Sequence, residues 1–319
     1  MRIGFLMDPI EGLQVGHDST FALMLAAAAR GHEVVSFEQP SLEFDGGRVL
    51  ARWRTLSVRR APGAHFTVVS DARGPVSDLD VVFLRKDPPV DAAFLRATQM
   101  LELVQPRPVY LNAPGALREA NEKLFALHLA ALGPRTLVSS DAKRLVAFVR
   151  STPAGAILKP VDGFAGRGVV RTHADDPNLA SLIEILTARG AESIIAQVYL
   201  PESRMGDKRV IAFDGEPLGA VLRVPRADDV RCNFAAGGSA APATVDESDR
   251  SICRELAPLL RSRGLRLVGI DVIGGRLIEV NVTSPTGLEE IAATGGGDLA
   301  AAIIGRVEAE ATARPSLSA

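Results

Sequence analysis

This chain has few cysteines, no long apolar run and almost no net charge, and each shortage removes a class of function. Two cysteines, Cys232 and Cys253, in 319 residues cannot build a disulfide framework or a zinc site. Cys253 falls in a helical pattern and is expected in the core, whereas Cys232 falls in a polar loop and reads as a bystander thiol. No apolar stretch reaches the length needed to span a bilayer. The opening, MRIGFLMDP, is a strand and not a signal peptide, because its apolar run is short and Asp8 interrupts it. The formal net charge is −2, with no long basic run, which argues against an extended nucleic-acid footprint. A soluble, cytoplasmic protein is the expectation. Two phosphate motifs are missing as well. No G-x-G-x-x-G follows the first strand, so a dinucleotide is not the expected ligand, and no Walker A loop occurs.

What remains is substantial. Hydrophobic residues make up 47% of the chain, enough for real cores. A length of 319 residues exceeds the roughly 250–300 at which single cores stop growing, so two or three domains are expected. Arg2–Met7 reads as a buried strand, Asp18 caps a helix running to about Arg30 with Gly31 as its stop, and Glu33–Phe37 is the next strand. This βαβ opening starts a parallel sheet. Residues 43–70 read as strands or an insert. Asp80–Leu84 runs straight into Arg85-Lys86-Asp87-Pro88-Pro89, and ligands bind at the carboxyl ends of strands in open α/β sheets. Arg85 and Lys86 are therefore placed to meet an anion, or form a solvated charge pair. Pro108–Leu111 is a further strand, followed by a helix from about 116 to 131, with a domain boundary near Leu117.

The stretch Leu267–Thr286 organises the rest. It reads as two strands joined by a glycine turn, and it carries Asp271, Glu279 and Asn281. A two-residue turn at Gly274-Gly275 would put the two carboxylates on different faces. A three-residue loop, Gly274 to Arg276, sets Asp271 opposite Glu279 and gathers Val268, Ile270, Val272, Ile278, Val280 and Val282 on one side. The second register is expected, because a one-residue slip would expose a whole hydrophobic set. Two carboxylates and an amide oxygen are hard ligands suited to Mg²⁺ or Mn²⁺ with phosphate oxygens. An acidic, solvent-facing side of a hairpin would carry the same pattern.

Other features point to phosphate. Ile157–Pro160 is a strand carrying Lys159, and Asp162 to Gly168 forms a glycine-rich hairpin flap, whose amides can approach phosphate closely. The segment Gln197-Val198-Tyr199-Leu200-Pro201 resembles a hinge whose backbone could pair with an adenine edge. Lys208–Phe213 and Pro217–Val224 form a meander bearing Arg209 and Arg223. Residues 224–243 lack periodicity and contain Arg226, Arg231 and Asn233, and a loop this long is functional or disordered. Asp246 caps a helix to about Arg263. A last helix spans 298–311, and the Ala/Ser/Pro tail is expected to fray.

Taken together, the motifs resemble the ATP-grasp superfamily and, within it, the bacterial glutathione synthetase family. The resemblance spans nearly the whole chain. It rests on MDPI, FLRKDPP (83–89), NEKLF (121–125), ILKP-DG (157–163), YLP (199–201), GDKRV (206–210), FAAGG (234–238), GIDVIGGRL (269–277) and EVNVTSPTG (279–287). It implies an α/β (α+β) ATP-grasp fold in three parts: a Rossmann-like substrate domain at 1–117, a central lid domain at 118–200, and a mainly antiparallel catalytic and metal domain at 201–319. It also implies ATP-dependent joining of γ-glutamylcysteine and glycine, giving glutathione, ADP and phosphate through an acyl phosphate. Asp271, Glu279 and Asn281 would hold Mg²⁺ or Mn²⁺. Lys123 and Lys159 would contact the α- and β-phosphates, with Gly163, Gly166 and Gly168 in the flap above. Gln197, Val198, Tyr199 and Leu200 would frame adenine, and Asp207 the ribose. Arg209 and Arg223 would stabilise the γ-phosphoryl and the acyl intermediate. Asp18, Ser19 and Arg85 would face the dipeptide, Thr283, Ser284 and Thr286 the acceptor end, and Arg231 and Asn233 the lid. The family is often a homotetramer, so a homo-oligomer is expected, with no nucleic-acid or membrane partner.

The sequence departs from the family at two places. The flap has Ala165 where another glycine is common, which leaves the phosphate contacts expected. The lid, Pro225 to Asn233, lacks the usual glycines and a glutamate before its arginine, which bears on lid closure and acceptor choice. A related ligase with another peptide or acceptor is the alternative. An ATP-binding regulatory module is a third reading, opposed by the complete Asp271, Glu279, Asn281 and arginine set.

Overall fold

The computed structural model describes residues 1–313. The expected fraying of the tail lies outside them. Three sheets organise the chain. The first contains β1 (Arg2–Leu6), β2 (Glu33–Phe37), β3 (Leu42–Asp45), β4 (Arg48–Val58), β5 (Phe66–Pro75), β6 (Val81–Leu84) and β7 (Val109–Leu111). Its centre, β2-β1-β6-β7, is parallel, as the βαβ opening requires. Residues 43–70 prove to be an antiparallel extension: β4 pairs with β2 and β3, and β5 folds back on β4.

Helix α1 (Ser19–Ala29) crosses between β1 and β2, with the Asp18 side chain accepting from the amides of Thr20 and Phe21. Such a cap contributes about 1 kcal/mol. Helix α2 (Ala92–Glu102) has Asp91 in the same role. The single helix expected over 116–131 is broken. α3 (Pro114–Glu119) ends at Ala120, and the Asn121 side chain caps a separate turn, α4 (Glu122–Phe125). A 3₁₀ stretch, Ala126–Leu132, follows, with a kink at Leu129. An asparagine that satisfies free amides at a helix start competes with helix continuation through the same point.

The second sheet is antiparallel: β8 (Thr136–Ser139), β9 (Ala156–Pro160), β10 (Val170–Thr172) and β11 (Ile194–Val198), in the order β10-β9-β11-β8. Helices α5 (Ala142–Arg150) and α6 (Leu179–Leu186) close a small core of its own around Leu145, Leu158, Ile183 and Ile194.

The third sheet, also antiparallel, contains β12 (Asp207–Phe213), β13 (Glu216–Val224), β14 (Ser239–Ala243), β15 (Leu267–Ile273) and β16 (Arg276–Asn281), in the order β14-β13-β12-β15-β16. Strand β14 was not expected. Residues 239–243 pair with β13, so the irregular segment ends at Gly238 and not at Ala243. Backbone pairing along β13 supplied an order that the small residues SAAPA do not display as a pattern.

Helix α7 (Glu247–Arg263) opens with a reciprocal cap between Asp246 and Asp249, and Cys253 is buried in its core face. α8 (Leu288–Ala293) and α9 (Leu299–Ala313) complete the fold. Among the described residues no helix is long and apolar enough to cross a membrane.

The first and third sheets share cores. One cluster joins Val82 and Leu84 to Val210, Ile270 and Val280, and another joins Phe5 and Phe83 to Ile211, Phe213 and Leu267. Each such fully buried side chain contributes roughly 1.5–3 kcal/mol. Asn112, just past β7, adds a polar clamp. Its amide oxygen accepts from Arg266 and Leu267 N–H, and its nitrogen donates to the carbonyls of Leu267 and Val282.

The β15–β16 hairpin answers the question of register. Asp271 does pair with Glu279. The connection, however, is the two-residue Gly274-Gly275 turn, with φ of 56° and 73°, and not a three-residue loop. The missing residue is supplied by a bulge at Ile278, between the Val272–Leu277 and Asp271–Glu279 pairs. Leu277 therefore occupies the core position expected of Ile278.

Candidate active site

A cavity of about 450 Å³ lies between the second and third sheets. Lys123 of α4, Lys159 of β9, Gln197 to Leu200 at the end of β11, Asp207 and Arg209 of β12, and Arg223 of β13 line it. Asp271 of β15 and Glu279 and Asn281 of β16 complete that wall. Gly163, Gly166, Arg231, Asn233, Ser284 and Thr286 also line it.

The floor is a buried charge chain. Arg209 and Asp271 are opposite each other on β12 and β15, and Asp207 and Arg223 are opposite on β12 and β13. Arg209 Nε donates to Asp271 Oδ1 at 2.5 Å and its Nη2 to Oδ2 at 3.1 Å. Arg223 Nη2 bridges Asp207 and Asp271, lying 2.8 Å from Asp271 Oδ2. Burial pushes Asp271 up, but the two arginines outweigh it and hold the carboxyl below its usual range. Burial dominates at Asp207 and raises it. Burial would lower Arg223, and Asp207 and Asp271 reverse that and raise it. Among the described residues, Asp207 Oδ1 and Arg223 Nε are buried with no hydrogen-bond partner.

The facing wall is built from the other sheet. Lys159 Nζ donates to Gln197 Oε1 at 3.2 Å, and Gln197 Nε2 donates to Thr136 Oγ1 at 3.0 Å. Burial pushes Lys159 down despite Glu279 nearby. Lys123 Nζ donates to the carbonyls of Gly163 and Val161 and lies 3.7 Å from Glu279 Oε1. Tyr199 is buried with the Arg171 guanidinium 3.9 Å from its ring centre. In the flap, Ala165 sits at φ 54° and Gly166 at 74°. A Cβ on Gly166 would lie 3.0 Å from Asn233 Oδ1 and 3.2 Å from Arg231, so flap and lid loop meet over the cavity.

The donor set suits a divalent cation. Asp271 and Glu279 are paired across adjacent strands, and Asn281 spends its amide nitrogen on Gly269 O and Asp271 Oδ2, both at 3.2 Å, and not its oxygen. Among the described residues, no group of three His, Cys, Asp or Glu is placed to hold a metal, and the third donor here is an amide. The wall sets six basic side chains (Lys123, Lys159, Arg167, Arg209, Arg223, Arg231) among five carboxyl groups (Asp87, Glu122, Asp207, Asp271, Glu279), and burial raises two of these, Asp207 and Glu122.

Five expected site residues stand elsewhere. Asp18 caps α1. Ser19 Oγ accepts from the amides of Gly287 and Leu288. Arg85 is buried, donating to Thr20 Oγ1 and Pro285 O at 3.0 Å each. Thr283 is buried with its amide on Glu122, and Gly168, at φ 71°, packs on Pro160. None of the five lines the cavity. Cys232, expected to be a bystander, does line it: its thiol is buried against Ser203 O, and burial pushes it up to about 12. Asp87, Glu122, Phe164, Arg167, Ser203, Ile273 and Ile278 are lining residues that sequence reasoning missed. Glu122 had a signal, since it precedes Lys123 in NEKLF. Ile278 had none, because the bulge that turns it inward depends on the turn type.

A fold in which two antiparallel sheets enclose such a cavity, behind a Rossmann-like sheet, is that of ATP-grasp ligases. It matches the ATP-grasp ligase PsnB in complex with its precursor peptide and AMPPNP, at TM-score 0.62 and 21% identity, covering 97% of each chain. It also matches the D-cycloserine synthetase DcsG, at TM-score 0.64 and 18% identity, covering 96% of this chain and 100% of that one. The chain belongs to the prokaryotic glutathione synthetase family. The N-terminal domain of that family matches residues 1–118 and its ATP-grasp domain residues 122–296. The glutathione synthetase of Gloeobacter violaceus is 46% identical over 297 residues, covering 91% of each chain. That of Rhodopseudomonas palustris is 43% identical over 310 residues, covering 97% of this chain and 99% of the relative.

Proposed function

We propose that this cavity binds ATP with γ-glutamylcysteine and glycine and joins the two substrates to form glutathione. The observation that carries the reading is the apposition of Lys123 and Lys159 with Asp271, Glu279 and Asn281 across one cavity. An oxygen of the peptide carboxylate attacks the γ-phosphorus, and the bond to the ADP oxygen breaks. The deprotonated amine of glycine then attacks the acyl carbon, and inorganic phosphate leaves with its bonding pair. Lys123 and Lys159 hold the α- and β-phosphates, while Arg209 and Arg223 meet the negative charge that develops on the γ-phosphoryl and acyl oxygens. Gln197 to Leu200 frame adenine, with Asp207 toward the ribose. Asp271, Glu279 and Asn281 would hold Mg²⁺ or Mn²⁺, which would supply charge neutralisation to the phosphates. Gly163 to Arg167 cover the phosphates. Arg231 and Asn233 in the lid, and Ser284 and Thr286 beyond β16, stand toward the acceptor.

Residues 1–117 form the substrate unit, 118–200 the moving lid unit and 201 onward the catalytic unit. The separate core of the second sheet, from Leu137 to Val198, supports a distinct middle unit, while Phe125 and Ala126 pack with Leu277 and Val280 in the core of the third sheet. The enzyme works in the cytoplasm as a homo-oligomer. ADP release should require both γ-glutamylcysteine and glycine. Turnover with another amine and not glycine would favour the alternative acceptor, and tight ATP binding without turnover would sink the ligase reading.

A further inference from the structure

Three consecutive residues at the start of α4 join the flap to the metal-bearing strand. Asn121 Nδ2 donates to Asp162 Oδ1 at 2.9 Å, and Lys123 Nζ reaches the carbonyl of Gly163, both on the flap. Between them, Glu122 turns the other way. Its Oε1 accepts the amides of Val282 at 2.9 Å and Thr283 at 3.0 Å, directly after Asn281. Asn112 Nδ2 donates to the Val282 carbonyl at 2.7 Å. One carboxylate oxygen thus fixes two successive backbone amides at the point where β16 leaves the sheet and its last side chain must face the cavity.

We propose that Glu122 is a positioning residue. It locks the exit of β16 so that Asn281 and Glu279 stay aligned with Lys123, and it thereby couples flap position to the metal-binding strand. Ion pairing explains the contact less well than acceptance of hydrogen bonds, since its partners are two backbone amides and the Thr283 hydroxyl. A glutamine would offer an amide oxygen at the same reach, whereas aspartate keeps the charge but is one methylene short. The inference rests on the metal assignment of Asn281 and Glu279 for its functional arm, but not for its backbone arm.

The test compares Glu122→Ala, Glu122→Asp and Glu122→Gln. Hydrogen exchange is measured on the metal-free protein over a peptide spanning 278–286, where failure of the metal reading has no influence. Alanine and aspartate should speed exchange at Val282 and Thr283 at least about tenfold, and glutamine should restore protection. In the activity arm, the Mg²⁺ concentration for half-activation should rise about 10–100-fold in alanine and aspartate, as for lost supports of metal ligands, and recover in glutamine. Aspartate carries the test if alanine does not fold. Unchanged exchange in aspartate, or glutamine as damaging as aspartate, overturns the proposal. Faster exchange with an unchanged Mg²⁺ requirement overturns the coupling and points to the metal assignment.

Discussion

Arg209 and Asp271 face each other across β12 and β15, and the guanidinium takes both oxygens of the carboxylate, at 2.5 and 3.1 Å. The carboxylate expected to grip a metal is therefore already oriented by the arginine expected to meet the γ-phosphoryl. Arg223 joins them from β13, so these buried charges form one connected unit.

Removing that carboxylate leaves the buried Arg209 guanidinium without a carboxylate and Arg223 with Asp207 alone. Asp271→Asn should cost about 3–5 kcal/mol in stability and abolish turnover. The folded value of Asp271 lies below its ordinary 3.8, so its contribution is complete above that pH and fades as pH falls. Urea unfolding between pH 3 and 7 should show a shallower acid limb in the variant, and identical limbs would contradict the pairing.

Lys159 makes a prediction of opposite sign. Burial lowers it from 10.5, so its charge is lost earlier on the alkaline side than that of an exposed lysine. The KM for ATP should climb with pH, starting below 10.5. Lys159→Arg should flatten the climb, because a guanidinium stays charged there. The same climb in both proteins would assign it to another group.

Ala165 occupies the left-handed region at φ 54°. That region costs a residue with a Cβ about 1–2 kcal/mol, and glycine returns up to about 1 kcal/mol of it as unfolded-chain entropy. Ala165→Gly should gain roughly 0.5 kcal/mol by urea unfolding and leave ATP binding intact. A clear loss of stability would show that the methyl group packs usefully.

The lid loop is held by local pairs, Arg231 with Asp229 and Arg226 with Asp228. Cleaving the chain near Asp228 should leave ATP affinity within a few-fold and slow product formation, because water then reaches the acyl phosphate. Equal turnover in cleaved and intact protein removes the lid role.

Legibility in the sequence followed how local each determinant was. Caps and turns were readable: Asp18, Asp246 and Gly31 mark helix ends where expected. The pairing of Asp271 with Glu279 was readable from hydrophobic alternation, but its cause was not. A glycine pair prefers the two-residue turn, and the sheet absorbs the mismatch as a bulge at Ile278. Strand β14 and the break at Asn121 depended on partners far along the chain or on a side chain competing for amides. The buried place of Cys232 came from Gly238 folding back, where a Cβ would lie 2.2 Å from the Cys232 carbonyl. The contacts of Ser19 with Gly287 and Leu288, and of Arg85 with Pro285, join residues far apart in the chain and left no local mark in the sequence.

The most direct measurement follows the oxygen of the peptide carboxylate. With γ-glutamylcysteine carrying ¹⁸O in the carboxylate that reacts, the phosphate released during turnover should contain one ¹⁸O atom, transferred through the acyl phosphate. Unlabelled phosphate alongside normal glutathione formation would contradict the account.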